Sequence, residues 1–153
     1  MAEPNAAGEG LSLTRVFDAP RQDVWREWTE PERFADWYGG RGSEAPLESV
    51  AMGVRPGGRW RATMFAGPER HEIRWAGEYR EVVEPERLVF TVTDQPEGRE
   101  YELVTVVLTD LGQDRTQMDL TQTGGHLTPE EYQRAGQGWS SFFDAMAARL
   151  AGR

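Results

Sequence analysis

The sequence predicts an α+β fold. A curved antiparallel sheet of six or seven strands wraps around one long C-terminal helix, and two short helices follow the first strand. Three observations lead there. From Pro46 to Thr123 the apolar residues recur with period 2, in segments separated by short turns. Short connections require antiparallel neighbours, because a parallel crossover needs a dozen or more residues. After the last segment, Thr128-Pro129-Glu130-Glu131 places a Thr cap, Pro at the first helical position and Glu at the third, the clearest helix start in the chain. A length of 153 residues suits one domain, so sheet and helix share one core.

The elements follow in order. Residues 1–10 are small, polar and rich in Gly and Pro, and are read as a disordered tail; residues 11–153 form the domain. Leu11–Phe17 alternates as a strand. Pro20 stands where a helix begins, since its missing N–H has no partner there anyway. Val24, Trp25 and Trp28 then make an apolar stripe at helical spacing. Thr29-Glu30-Pro31-Glu32 has the form of a capping box and predicts a second short helix carrying Phe34 and Trp37, ended by Gly39, Gly40 and Gly42. Six strands are expected next, over 47–54, 58–65, 72–83, 87–94, 100–111 and 115–123. The breaks between them hold turn residues such as Arg55-Pro56-Gly57, Glu84-Pro85-Glu86 and Gly112-Gln113-Asp114. The last helix, about 20 residues long, carries Ala135, Trp139, Phe142, Phe143, Met146 and Leu150 on one broad face.

Composition excludes several functions. Seventeen basic residues against 26 acidic ones give a net charge of −9. Nucleic-acid binding needs a basic face, and docking on an anionic membrane needs a basic patch, so neither is expected. With no Cys there is no disulfide, thiolate nucleophile or Cys-ligated metal. There is no Lys either, which removes Schiff-base chemistry and a P-loop. The two histidines, His71 and His126, lack any metal-binding spacing, so no metal and no cofactor is expected. No secretory signal or apolar run of membrane-spanning length is present, and the expected location is the cytoplasm.

Six Trp, six Phe and four Tyr are many rings for one small domain. Alternation on the strands puts Trp60, Ala62 and Met64 on one face, then Ile73, Trp75, Gly77 and Tyr79, then Leu88, Phe90 and Val92. Val104, Val106 and Leu108 continue that face, as do Thr116, Met118 and Leu120. These faces turn toward the helix. A hollow there would be lined by flat rings and flexible Met, which suits an apolar or aromatic small molecule; a packed core uses the same residues. The candidate ligand-binding residues are Trp37, Trp60, Met64, Trp75, Tyr79, Phe90, Trp139, Phe143 and Met146. Gly136 and Gly138 stand inside the long helix, where each costs ~1 kcal/mol relative to Ala. They either admit a ligand or the sheet to the helix backbone, or seat the neighbours of Trp139, and both readings need a close approach. An enzymatic use of the hollow would draw on Arg15, Glu48, Tyr79 and Glu81 for proton transfer. Ser140 and Ser141 lie in a helix without a nucleophile elbow, and no residue is singled out as catalytic.

Strings spread from Leu11 to Leu150 carry a resemblance. They are Arg15-Val16-Phe17-Asp18-Ala19-Pro20 leading to Val24-Trp25, Trp28-Thr29-Glu30-Pro31, Trp37, Arg55-Pro56-Gly57-Gly58-Arg59-Trp60, the run from Gly77 to Phe90, and Gly138-Trp139. In this order they resemble the helix-grip superfamily, also called SRPBCC or START-like, which includes START lipid-transfer domains and plant Bet v 1-like proteins. Within it the chain looks like the branch related to the C-terminal domain of the Hsp90 ATPase activator. The resemblance implies a fold with a ligand-holding interior, and it covers carriers, cyclases and partner-binding domains alike. The separate N-terminal domain of the eukaryotic activator has no counterpart in these residues, so a direct role in stimulating Hsp90 is not expected. The leading expectation is a non-enzymatic protein that binds a hydrophobic or aromatic small molecule; a homodimer is left open. The alternatives are an aromatase/cyclase- or hydrolase-like enzyme using the same hollow, and a protein-binding module acting through the outer sheet face.

Overall fold

The computed structural model describes residues 10–40 and 42–152; the tail expected over residues 1–10 lies outside them except for Gly10, which opens the first strand. The elements are β1 (Gly10–Phe17), α1 (Arg21–Thr29), α2 (Pro31–Trp37), β2 (Ser43–Glu44), a 3-10 turn (Leu47–Ser49), β3 (Ala51–Met52), β4 (Arg59–Ala66), β5 (His71–Val83), β6 (Arg87–Val92), β7 (Glu102–Gly112), β8 (Arg115–Thr123) and α3 (Pro129–Ala151). All pairings are antiparallel, in the order β1-β8-β7-β6-β5-β4-β2, with β3 on β4. The sheet curls around α3 in the expected α+β helix-grip arrangement.

The predicted inward faces are buried, except at the start of β5, where Ile73 and Trp75 are only partly covered. Trp60 lies opposite Gly77, Ala62 opposite Trp75 and Met64 opposite Ile73. Val104, Val106, Leu108, Met118 and Leu120 are all buried, as are Trp139, Phe143, Met146 and Leu150 of α3. One-residue slips would turn these side chains to solvent, so the apolar pattern fixes the register. Gly77 has a specific task. A Cβ there would collide with the Thr91 carbonyl and the Trp60 indole nitrogen. Its absence lets the Trp60 N–H donate to that carbonyl at 3.0 Å across the sheet.

Three local expectations are corrected. The strand expected over 47–54 is a 3-10 turn followed by the two-residue β3. Pro46 opens the turn, and the Ser49 hydroxyl closes it by donating to the Pro46 carbonyl at 2.7 Å. The capping box expected at Thr29 does not form. Pro31 at the first helical position makes Glu30 the cap residue, and the Thr29 hydroxyl turns back to the Trp25 carbonyl at 3.0 Å. The box at Thr128 is complete, with the Thr128 hydroxyl accepting from Glu131 N at 3.1 Å and Glu131 Oε1 accepting from Thr128 N at 2.8 Å. Third, Gly136 and Gly138 are not close-approach sites for protein. A Cβ on either would meet no atom within 4 Å.

Buried charge ties the helices together. Glu27, 1% exposed in α1, accepts from Arg149 of α3 at 2.8 and 3.3 Å, and Arg149 also reaches Asp36 at 2.7 Å. The bond to Glu27 holds the Arg149 guanidinium above its ordinary range, against the opposing effect of desolvation.

Candidate functional site

The rings divide the interior into two parts. One part is packed shut. Trp28 meets Trp37 edge-on at 4.8 Å between centroids, with Phe90 at 5.9 Å and Phe143 at 6.1 Å. Trp60 packs edge-on against Phe90 at 5.7 Å. Trp37, Trp60, Met64, Tyr79, Phe90, Trp139, Phe143 and Met146, eight of the nine candidate ligand-binding residues, belong to one continuous core, and Trp75 packs against it. Burial pushes the Tyr79 hydroxyl well above its ordinary range.

The other part opens. Between the amino-terminal half of α3, the start of β5 and the turn joining β6 to β7 lies a cleft of about 820 Å³. Trp75 and, at the edge of the core, Trp139 stand in its wall with Tyr38 and Phe142. Tyr38 bridges the two parts. Its ring stacks on Phe34 at 4.5 Å and meets Trp75 edge-on at 6.4 Å, and burial drives its hydroxyl far above the ordinary range. The Trp75 indole N–H is shut off from solvent and finds no acceptor. Gly138, also in the wall, presents bare helix backbone to the open space.

The floor of the cleft is polar. Trp139 Nε1 donates to Gln122 Oε1 at 2.8 Å, and Gln122 Nε2 donates to Glu102 Oε1 at 3.3 Å. Glu102 Oε2 accepts from His126 N at 3.2 Å. Gly125 N donates to the Tyr132 hydroxyl at 2.8 Å. Burial and the neighbouring Glu102 carboxylate push that hydroxyl up to about 12, so it stays protonated at neutral pH. A Cβ on Gly124 would collide with the Glu102 carboxylate. Glu102 therefore anchors the loop that leads into α3.

Glu102 and Gln122 were not singled out from the sequence, although a signal existed. Glu102 shares the parity of Val104, Val106 and Leu108, and Gln122 that of Met118 and Leu120. Extending each inward face by one step places both polar side chains inside. The residues expected to supply proton transfer do not converge. Arg15 pairs with Asp144 of α3 at 2.9 Å, Glu81 pairs with Arg87 at 2.8 Å on the open surface, Glu48 is exposed, and Tyr79 is in the core. His71 opens β5 on the surface, while His126 lies at the cleft mouth with Nδ1 4.0 Å from Glu100.

The pattern of the family described as Activator of Hsp90 ATPase homolog 1-like protein matches residues 18–151. The chain belongs to this family. No curated protein sequence matches it. Solved structures of the same fold include protein NE0264 of Nitrosomonas europaea, 23% identical with a TM-score of 0.79, covering 95% of this chain and 96% of that one. Protein CV1439 of Chromobacterium violaceum is 24% identical with a TM-score of 0.79, over 92% and 96%. An HSP90 activator from Plasmodium falciparum, PFC0360w, is 19% identical with a TM-score of 0.71, over 94% and 96%. At these identities the likeness establishes the fold of this Hsp90-activator-like chain; its chemistry rests on its own residues. Among the described residues no helix is long and apolar enough to cross a membrane.

Proposed function

We propose that this protein is a non-enzymatic carrier or sensor that holds a small molecule with an apolar, ring-bearing body in the cleft between α3 and the β5–β7 end of the sheet. The observation that carries the reading is the cleft itself. Its volume of about 820 Å³ falls within the ~300–1,000 Å³ typical of small-molecule sites. Trp75, Trp139, Tyr38 and Phe142 offer it flat apolar walls.

The rival readings have less support. Acid–base catalysis needs convergent ionisable groups, and Glu102 is the one buried charged residue in the cleft wall. Partner binding through the outer sheet face needs a continuous apolar patch. The exposed large apolar residues Val16, Leu47, Val83, Tyr101 and Leu111 sit on five separate segments.

The test is titration with a naphthalene-based fluorescent probe, followed by tryptophan emission, on the unmodified protein and on Gly138→Leu. A leucine there projects into the cleft and meets no protein atom at its Cβ. Saturable binding that Gly138→Leu abolishes, with folding intact, supports the reading. Absence of saturable binding, or binding indifferent to Gly138→Leu, overturns it.

A further inference from the structure

The charge distribution of the cleft points to a narrower ligand class. Glu102 is 6% exposed, yet no arginine or histidine side chain pairs with its carboxylate among the described residues. Its partners are the neutral donors Gln122 Nε2 and His126 N, together with the Tyr132 hydroxyl. A carboxylate offers about four acceptor positions, so capacity remains. A buried carboxylate is ordinarily matched by a cation, because desolvation without one is expensive. Elsewhere this chain follows that rule, since Glu27, also buried, is held by Arg149. Glu102 is the exception, and it is the one that faces the cleft.

The surroundings agree. Asp94, Glu100 and Glu131 also line the cleft, against Arg99 and Arg134, which are exposed at its rim. Exposed charges are screened by solvent and salt, whereas a buried one keeps most of its field. Glu102 therefore dominates the potential felt by a ligand inside. The walls are faces of Trp75, Trp139, Tyr38 and Phe142, and the negative face of an aromatic ring attracts a cation as well.

We propose that the ligand is an amphipathic amine. Its apolar, ring-bearing body lies against the four aromatic side chains, and its protonated nitrogen points to the Glu102 end of the cleft. This rests on the reading of the cleft as a small-molecule site and adds the ligand's charge. Glu102 becomes the residue that selects for charge, beyond its bonds to the loop before α3.

Three probes of matched shape test this on the full chain by isothermal titration calorimetry: naphthylmethylamine, naphthalenemethanol and naphthoic acid. The amine is expected to bind about tenfold more tightly than the alcohol, a difference of about 1.4 kcal/mol, and the acid most weakly. In Glu102→Gln the amine should lose its advantage over the alcohol. Should that variant fail to fold, a salt series on the unmodified protein decides. A preference that persists at high salt belongs to the buried Glu102, and one that vanishes belongs to exposed Asp94 and Glu100. Equal or tighter binding of the alcohol, a preference untouched by Glu102→Gln, or one lost at high salt overturns the proposal while leaving a small-molecule site in place. If none of the three probes binds, the small-molecule reading falls with it.

Discussion

Around Trp28 the rings of α1, α2, the sheet and α3 close on one another, and the indole N–H groups of Trp28, Trp37 and Trp60 each end on a protein acceptor. Trp28 donates to Met118 Sδ at 3.3 Å, Trp37 to the Glu27 carbonyl at 2.8 Å and Trp60 to the Thr91 carbonyl at 3.0 Å. Around Trp75 the same residue types leave gaps. Trp139 reaches an acceptor only through the side chain of Gln122, and Trp75 reaches none. Protein alone completes the first region. The second leaves a stretch of helix backbone at Gly138 and the Glu102 carboxylate lining an open volume. Ring content is therefore a poor guide to a binding site. What separates wall from core is whether protein atoms fill the space beside each ring.

The sharpest way to break this comparison is to truncate one ring on each side of it. Phe143 is fully buried in the packed region and Phe142, its neighbour in sequence, stands half-buried in the cleft wall. Phe143→Ala is expected to lose ~3–5 kcal/mol of stability, the usual effect of deleting a buried ring, with no direct loss of a ligand contact. Phe142→Ala should lose about half as much or less, because it removes less buried surface, and should weaken probe binding. Equal stability losses in urea titrations would erase the distinction between the two regions.

Trp139 sits on the boundary. Trp139→Phe keeps most of the ring but strips Gln122 Oε1 of its donor inside the protein. A buried acceptor left without its partner costs ~1–3 kcal/mol. The urea midpoint should fall with an unchanged m-value. A midpoint equal to that of the parent would mean that the Trp139–Gln122–Glu102 chain does not stabilise the floor of the cleft.

How much of this was legible in the residues follows from which interactions are local. Thr128-Pro129-Glu130-Glu131 makes its bonds within one turn, so it reads correctly from sequence alone. Alternation fixes inside and outside on β4 to β8 without knowledge of the neighbours. Thr29-Glu30-Pro31-Glu32 has the same lettering as a cap but fails, because Pro31 moves the helix start by one residue. Residues 47–54 misread for a related reason, since a turn closed by Ser49 can carry apolar residues with period 2. The cleft was legible only as a set of rings. Where α3 stops covering the sheet depends on long-range packing, and that decides why Trp75 lines a wall while Trp60, its diagonal neighbour on the adjacent strand, is core. The inward parity of Glu102 and Gln122 was the one local clue to a polar floor.

Smaller effects sharpen the comparison along α3. Gly136→Ala and Gly138→Ala should each stabilise the protein by ~1 kcal/mol, since neither new methyl meets an atom and both relieve a helix-interior glycine. Only Gly138 lines the cleft. The two variants should therefore share a higher melting temperature and differ in binding, with Gly138→Ala alone weakening the probe. Loss of binding in both would assign the effect to helix stiffness and not to the wall.

Trp75→Phe is expected to change stability least and to be the most informative for that reason. A buried N–H with a protein partner contributes to folding, so its removal destabilises; one without a partner carries only its desolvation penalty. Trp75 is of the second kind, and phenylalanine retains much of its apolar contact with Tyr38. The change in unfolding free energy should stay within about 0.5 kcal/mol, the range of substitutions that break no specific interaction. Binding should change little as well, because the N–H is closed off from the cleft and phenylalanine keeps a flat apolar face in the wall. If the variant loses about a kilocalorie or more of stability, the Trp75 N–H is already satisfied within the protein. If probe affinity falls about tenfold, the N–H reaches the ligand after all.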